Sequence, residues 1–242
     1  MGLAYGNLGM RKDAIEAYKQ AIRIKPEHAK AHYNLGVAYG ELGIRKKEIE
    51  AYKQAIRIKP DYAEAHRLLG AAYGESGMEK EAIEACKQAI RIKPDYAGAY
   101  YCLGVAYGKL RMHREAIEAY KRAIRIEPDD AKYHFNLGIN YVILGMDREA
   151  IEAFKQSIRI KPDYAEAHYF LGNAYGKLRM DREAIEAYKQ AIRIKHDYAE
   201  AHYYLALNYL MLDDRGSALE EYKILKNLDL KVANELFNLI YK

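Results

Sequence analysis

The stretch AIRIKPDYAEAH, residues 55–66, closes one segment of the chain and opens the next, and near copies recur from end to end. Pro26, Pro60, Pro94, Pro128 and Pro162 follow one another at intervals of 34 residues, and His196 holds the next place. A fixed period of that size marks a stack of small supersecondary elements. It overrides the one or two globular domains that a length of 242 residues would suggest.

With Ala63 as position 1 and Tyr96 as position 34, apolar or half-apolar residues fall at 4, 7, 8 and 11 (His66, Leu69, Gly70, Tyr73), then at 20, 21, 24, 27, 28 and 30. Both sets have helical spacing, and nothing alternates as a strand would. Gly77 at position 15 supplies the turn between two antiparallel helices. The IKP triplet ends the second helix, because proline cannot continue it and disfavours helical angles in the residue before it. The Asp that follows is the expected N-cap of the next helix, closed by Glu three residues on: Asp61 with Glu64, Asp163 with Glu166, Asp197 with Glu200.

Small residues recur where helices must approach closely. Gly36, Gly70, Gly104, Gly138 and Gly172 hold position 8; Ala82, Ala116, Ala150, Ala184 and Ala218 hold position 20. In one repeat the run reads Leu103, Gly104, Tyr107, Ala116, Tyr120, Ala123, Pro128, and this pattern resembles the tetratricopeptide repeat. The resemblance covers essentially the whole chain. It implies an all-α, right-handed α-solenoid superhelix of helix–turn–helix pairs. The expected repeats are a partial one at 1–28, full ones at 29–62, 63–96, 97–130, 131–164, 165–198 and 199–232, and a terminal half-repeat helix at 233–242.

Departures from the family pattern carry information. Position 4, tryptophan in the family, is His32, His66, Tyr100, His134, His168 and His202. Position 15 is Arg111 and Arg179 in two repeats. Position 20 is Glu48 in one, where a carboxylate at a close helix crossing is expected to be strained or to bend outward toward Lys46 or Lys47. The last full repeat drifts, with Ala206, Leu225 and Leu230 at positions 8, 27 and 32.

Composition bounds the chemistry. Half the residues are apolar and 30% are charged, so a core can form, and no apolar run reaches the length of a membrane span. The net charge of +5 permits an acidic partner without demanding one. Cys86 and Cys102 stand at different repeat positions and give neither a disulfide framework nor a metal spacing; Cys86, in the aromatic slot at position 24, reads as a packed thiol. The histidine column cannot share an ion, because ligands must lie about 2.1 Å from the metal while packed helices stand about 8–10 Å apart. No nucleophile–base set, paired carboxylate or phosphate loop is present, so no enzyme activity and no cofactor are expected. No signal peptide opens the sequence, which makes a cytoplasmic location the default; an incomplete N-terminus would leave an extracellular one open.

The surface remains. In the family the first-helix face bearing positions 2, 5, 9, 12 and 13 lines a concave groove for peptides. By position, the candidates are Tyr33, Val37, Tyr101, Val105, Phe135, Ile139, Tyr169, Asn173, Lys177, Tyr203 and Leu207, with Arg67 and Ala71 at 5 and 9 of repeat 63–96. Glycine recurs beside them at position 12 (Gly6, Gly40, Gly74, Gly108, Gly176), although a helix-interior glycine costs about 1 kcal/mol against alanine. The family's carboxylate clamp is not matched, since Lys30, Lys132, Asn34, Asn136 and Asn173 do not fall in order over consecutive repeats.

A basic stripe runs along the second helices at positions 25 and 29. Its members are Lys53 and Arg57, Lys87 and Arg91, Lys121 and Arg125, Lys155 and Arg159, Lys189 and Arg193, each pair preceded by Glu at position 22. Intrahelical pairing with that Glu is the favoured account; an anionic polymer or nucleic acid is the weaker one. The main reading is a non-catalytic scaffold that binds a protein or peptide segment in the groove. The alternative is a subunit that self-associates end to end into a superhelical filament through Leu236, Phe237, Leu239, Ile240 and Tyr241.

Overall fold

The computed structural model describes residues 11–241, so the opening of the partial first repeat, Gly6 included, lies outside the described residues. Among the described residues fourteen helices follow one another: α1 (Arg11–Ile24), α2 (Ala29–Glu41), α3 (Arg45–Ile58), α4 (Ala63–Glu75), α5 (Glu79–Ile92), α6 (Ala97–Lys109), α7 (His113–Ile126), α8 (Ala131–Ile143), α9 (Asp147–Ile160), α10 (Ala165–Lys177), α11 (Asp181–Ile194), α12 (Ala199–Met211), α13 (Arg215–Leu228) and α14 (Leu230–Ile240). No strand occurs among the described residues. They group into two compact units that divide between Pro128 and Asp129.

Each of the six full repeats turns between its helices in the same way. Gly43 donates its N–H to the Gly40 carbonyl at 2.9 Å and Ile44 donates to Tyr39 at 2.9 Å, which is the paired bonding of a Schellman close. The residue at position 15 needs a left-handed backbone, and Gly43, Gly77 and Gly145 have φ of 69°, 74° and 71°. Arg111, Arg179 and Asp213 adopt φ of 60°, 58° and 61° in the same slot, a conformation that costs a side-chain-bearing residue about 1–2 kcal/mol.

Position 8 is glycine because a ring lies on it. A Cβ on Gly36, Gly104, Gly138 or Gly172 would fall 2.6 Å from the ring of Tyr52, Tyr120, Phe154 or Tyr188, the residue at position 24 of the same repeat. Those four rings are fully buried. Repeat 199–232 shows the converse: Ala206 takes the glycine slot, and Tyr222 is only half-buried.

The expected Asp–Glu capping boxes do not form. The helices start one residue later than that reading assumes, with Tyr62, Tyr164 and Tyr198 as N-cap residues and no side-chain cap. The tyrosine instead gains ring contacts, described below. Where the sequence reads Asp-Asp, at 129–130, Asp130 takes the tyrosine slot and its carboxylate accepts from the Lys132 N–H at 2.8 Å.

Two further expectations are corrected. Glu48 does not bend toward Lys46 or Lys47; it is 7% exposed and bonded to Arg45 Nη1 at 2.7 Å. Arg45 in turn reaches the Gly40 carbonyl and the Glu75 carboxylate of the next repeat. Gly40 makes the room, since a Cβ there would stand 2.6 Å from Glu48 Oε1. Burial lifts the Glu48 carboxyl above its ordinary value despite the opposing bond and charge of Arg45. A raised carboxylate pKa means stability falls as pH rises through that interval. Because Arg45 keeps the Gly40 carbonyl and Glu75 as partners when Glu48 is removed, Glu48→Ala should raise stability at neutral pH, read by urea unfolding; an unchanged or lower midpoint would show that the Arg45 pair outweighs desolvation.

The second correction concerns the cysteines. Cys86 and Cys102 are joined in a disulfide with Cα atoms 6.3 Å apart. The reason is register. Position 24 of one repeat meets position 6 of the next, an offset of 16 residues that also brings Phe154 to Phe170 at 6.1 Å and Tyr188 to Tyr204 at 6.2 Å.

Candidate functional site

The histidines at position 4 are structural ties. Nε2 of His32, His66 and His168 bonds the carbonyl of Pro26, Pro60 and Pro162 at 3.1, 3.0 and 3.0 Å, so each fastens a first helix to the proline turn before it. His202 is buried and has acceptors on both nitrogens: Glu221 at 2.5 Å from Nδ1 and the His196 carbonyl at 3.1 Å from Nε2. Two acceptors call for both ring protons. Burial alone would lower its pKa, but the Glu221 bond, the His196 carbonyl and the Glu221 charge together raise it. That stabilisation is full below the ordinary histidine value of 6.5 and is lost as pH climbs through the raised folded value. Urea unfolding from about pH 6 to pH 9 should show the C-terminal unit weakening, with Glu221→Gln flattening the slope; a flat wild-type profile would exclude a charged His202.

The first-helix candidates are half-buried rings and aliphatics, each joined to its neighbours. In the N-terminal unit Tyr33 lies 6.0 Å from Tyr52 and stacks on Tyr62 at 5.0 Å, while Tyr101 lies 5.9 Å from Tyr120. Val37 and Tyr33 pack on the same core cluster, and Val105 stands with Tyr101 on a cavity wall. Arg67 substitutes a cation for the ring, with Nε bonded to the Tyr96 hydroxyl at 2.7 Å.

The C-terminal unit carries a longer ring network. Phe135 contacts Tyr164 at 4.9 Å and Phe170 at 5.7 Å. Tyr169 contacts Phe170, Tyr198, Tyr188 and Tyr204 at 5.1, 5.0, 6.0 and 6.0 Å. Tyr203 adds an edge contact to Tyr204 at 5.4 Å. Burial raises the phenol pKa of Tyr33 and Tyr169, so both rings stay neutral hydrogen-bonding groups. Ile139 is half-buried, and Leu207 packs against the closing core of Leu225, Leu236 and Ile240. Asn173 accepts from the Tyr188 hydroxyl at 2.7 Å, and Lys177 lies 3.5 Å from Asp147. Sequence reasoning missed the tyrosine at position 34 and the ring at position 6. The doublets Tyr169-Phe170 and Tyr203-Tyr204 were the readable signal.

The second-helix cations are engaged within their own surroundings. Lys87, Lys121, Lys155 and Lys189 pair with Glu84, Glu118, Glu152 and Glu186 at 3.0–3.4 Å. Lys53, Lys155 and Lys189 also stand 5.7–5.9 Å from the rings of Tyr73, Tyr175 and Tyr209 in the following repeat. Arg57 bonds Gln54 and approaches Glu27. Arg91, Arg125, Arg159 and Arg193 are exposed in the last turns of α5, α7, α9 and α11, where a cation complements the carbonyl end of the helix dipole.

At the C-terminus, Leu236 and Ile240 are buried in the chain's own core, which corrects their expected place in an end-to-end contact, while Leu239 is 42% exposed. Phe237 and Tyr241 are exposed and lie against each other at 4.5 Å.

A family model described as TPR repeat matches residues 2–43, 49–77, 80–110, 140–178 and 182–213, well over half of the chain. The chain belongs to the tetratricopeptide repeat family. Two further models described as tetratricopeptide repeats match 29–62 and 97–130. Among solved structures, MamA is 31% identical and aligns over 69% of this TPR chain and 97% of its own, with a TM-score of 0.63. YrrB, described as a TPR protein with an unusual peptide-binding site, is 26% identical over 77% of this chain and 96% of its own, with a TM-score of 0.64. The C-terminal part of a TPR repeat-containing protein from Cytophaga hutchinsonii is 18% identical over 97% of both chains; its TM-score of 0.77 speaks to the fold alone. No curated protein matches the TPR chain in sequence. No described helix is long and apolar enough to cross a membrane. By class, TPR arrays are protein–protein interaction scaffolds, generally without catalysis of their own.

Proposed function

We propose that this TPR chain is a non-catalytic scaffold whose first-helix faces bind an extended or helical peptide segment of a partner protein. The supporting observation is the row of half-buried rings at position 5, held by the rings at positions 24 and 34. Rings fixed in this way present apolar area and polar edges at little entropic cost, which is what a recognition surface needs. The peptide-binding site of YrrB supports the same reading. The second-helix cations favour a solvated outer face over a nucleic-acid track, because Lys87, Lys121, Lys155 and Lys189 are already paired with glutamate. Assembly through the chain end is the second reading, carried by the exposed Phe237, Leu239 and Tyr241.

The test uses peptides selected by display on the intact chain. Tyr203→Ala should weaken their binding by about 2 kcal/mol, or roughly 30-fold. Lys155→Ala and Lys189→Ala should change it less than about twofold. Equal binding by Tyr203→Ala would move the site away from this face.

A further inference from the structure

One repeat lacks both rings that fill the others. The position 5 and position 24 side chains pair as Tyr33–Tyr52, Tyr101–Tyr120, Phe135–Phe154 and Tyr169–Tyr188, with centroids 5.9–6.0 Å apart. In repeat 63–96 the same two slots hold Arg67 and Cys86. The Cys86 sulfur lies against Gly70, where a ring edge lies in four other repeats, and the side chain continues only to its bond with the Cys102 sulfur. A cavity of about 240 Å³ opens on this side of α4 and α6. Its apolar lining includes Ala71, Ala82, Val105 and Ala106, the Cys102 half of the disulfide, and the Tyr101 ring.

The rim is cationic. Arg67 is steered by the Tyr96 hydroxyl, and the Lys109 ammonium reaches the Gly74 carbonyl. Glu75, the acidic group on the rim, is already matched by Arg45.

We propose that this cavity receives one aromatic side chain of a partner peptide, with a carboxylate close to that side chain held by Arg67 and Lys109. The proposal rests on the reading of the first-helix face as a peptide site and names what one part of it selects. Shape supports the aromatic half: the chain itself puts a ring in the corresponding space in four other repeats. Size agrees, since about 150 Å³ of apolar cavity suffices to hold benzene. Charge supports the acidic half, because a carboxylate brought between the Arg67 guanidinium and the Lys109 ammonium gains charge-assisted bonds.

The probe is 3-phenylpropionate, titrated into the intact chain and followed by the methyl resonances of Ala71, Val105 and Ala106. Saturable shifts at those methyls are expected, with affinity at least about tenfold weaker in Cys86→Tyr, which restores the ring of the other repeats. Ala71→Leu leaves the cysteine pair intact and narrows the mouth; it should weaken binding to the same degree, and it stands as the test if Cys86→Tyr does not fold. The neutral amide, 3-phenylpropanamide, should bind about five- to tenfold more weakly. No saturable shift, or unchanged affinity in Ala71→Leu, overturns the proposal, and equal binding of the amide overturns its acidic half. Because peptide binding by the scaffold is scored at Tyr203 in the other unit, failure here leaves that reading standing, and failure there is seen separately.

Discussion

Replacing Tyr169 by alanine is expected to destabilise the C-terminal unit by about 3 kcal/mol, the largest loss from any single first-helix face residue. Four rings meet this side chain, at 5.0–6.0 Å, and they come from two successive repeats. Truncation removes the apolar contact of a half-buried ring and leaves Phe170, Tyr188, Tyr198 and Tyr204 around a void. Tyr169→Phe keeps the ring and should cost less than about 1 kcal/mol. Repeat proteins couple mainly between neighbours, so the loss should be local. Amide exchange in α11 and α12 should accelerate while α2 and α4 stay unchanged. A loss below about 1 kcal/mol in urea unfolding would mean that the rings touch without supporting one another.

Gly172→Ala is expected to cost about 2 kcal/mol, although it adds a single methyl group. That methyl would sit 2.6 Å from the Tyr188 ring, which is fully buried and donates its hydroxyl to Asn173 at 2.7 Å. The ring must move outward, as the half-buried Tyr222 does opposite Ala206, and the bond to Asn173 breaks. Gly74→Ala is the control. Its added methyl would meet only the Ala82 Cβ at 3.9 Å, and the helix gains about 1 kcal/mol from alanine's propensity. If both substitutions shift Tm in the same direction, the glycines at position 8 are not there to seat rings.

These two cases show what the sequence disclosed and what it withheld. The period, the paired helices and the small residues at close helix approaches are local consequences of spacing, and a 34-residue repeat displays them several times over; that each position 8 glycine seats a ring was not read from it. The glycines at position 12 serve different local ends. Gly40 accommodates the Glu48 carboxylate, Gly74 stands on the wall of a cavity, and at Gly176 a Cβ would meet Asn208 no closer than 3.7 Å. Nothing in the spacing separates these. Contacts at the joints between repeats were also hidden, because they depend on how one helix pair sets against the next. The Cys86–Cys102 link, the Tyr62 ring on Tyr33 and the histidine-to-proline-carbonyl ties all belong to that class. The basic stripe was legible as a row of residues, but its partners were only half so. The glutamates that hold Lys87 and Lys121 follow from spacing, whereas the Tyr73 ring beside Lys53 comes from the next repeat. The capping boxes failed for a related reason: a tyrosine ring at position 34 has more to gain from its neighbours than an Asp has from one N–H.

The central claim is that the first-helix faces, and not the second-helix cations or the chain end, receive the partner. A backbone amide shift map with a display-selected peptide on the intact chain tests it most directly. Shifts should centre on the position 5 and 9 residues, Phe135, Ile139, Tyr169, Asn173, Tyr203 and Leu207 in the C-terminal unit or Tyr33, Val37, Tyr101 and Val105 in the N-terminal one. Shifts centred on the second-helix cations, such as Arg91, Arg125, Lys155, Arg159, Lys189 and Arg193, or on Phe237, Leu239 and Tyr241, would contradict it.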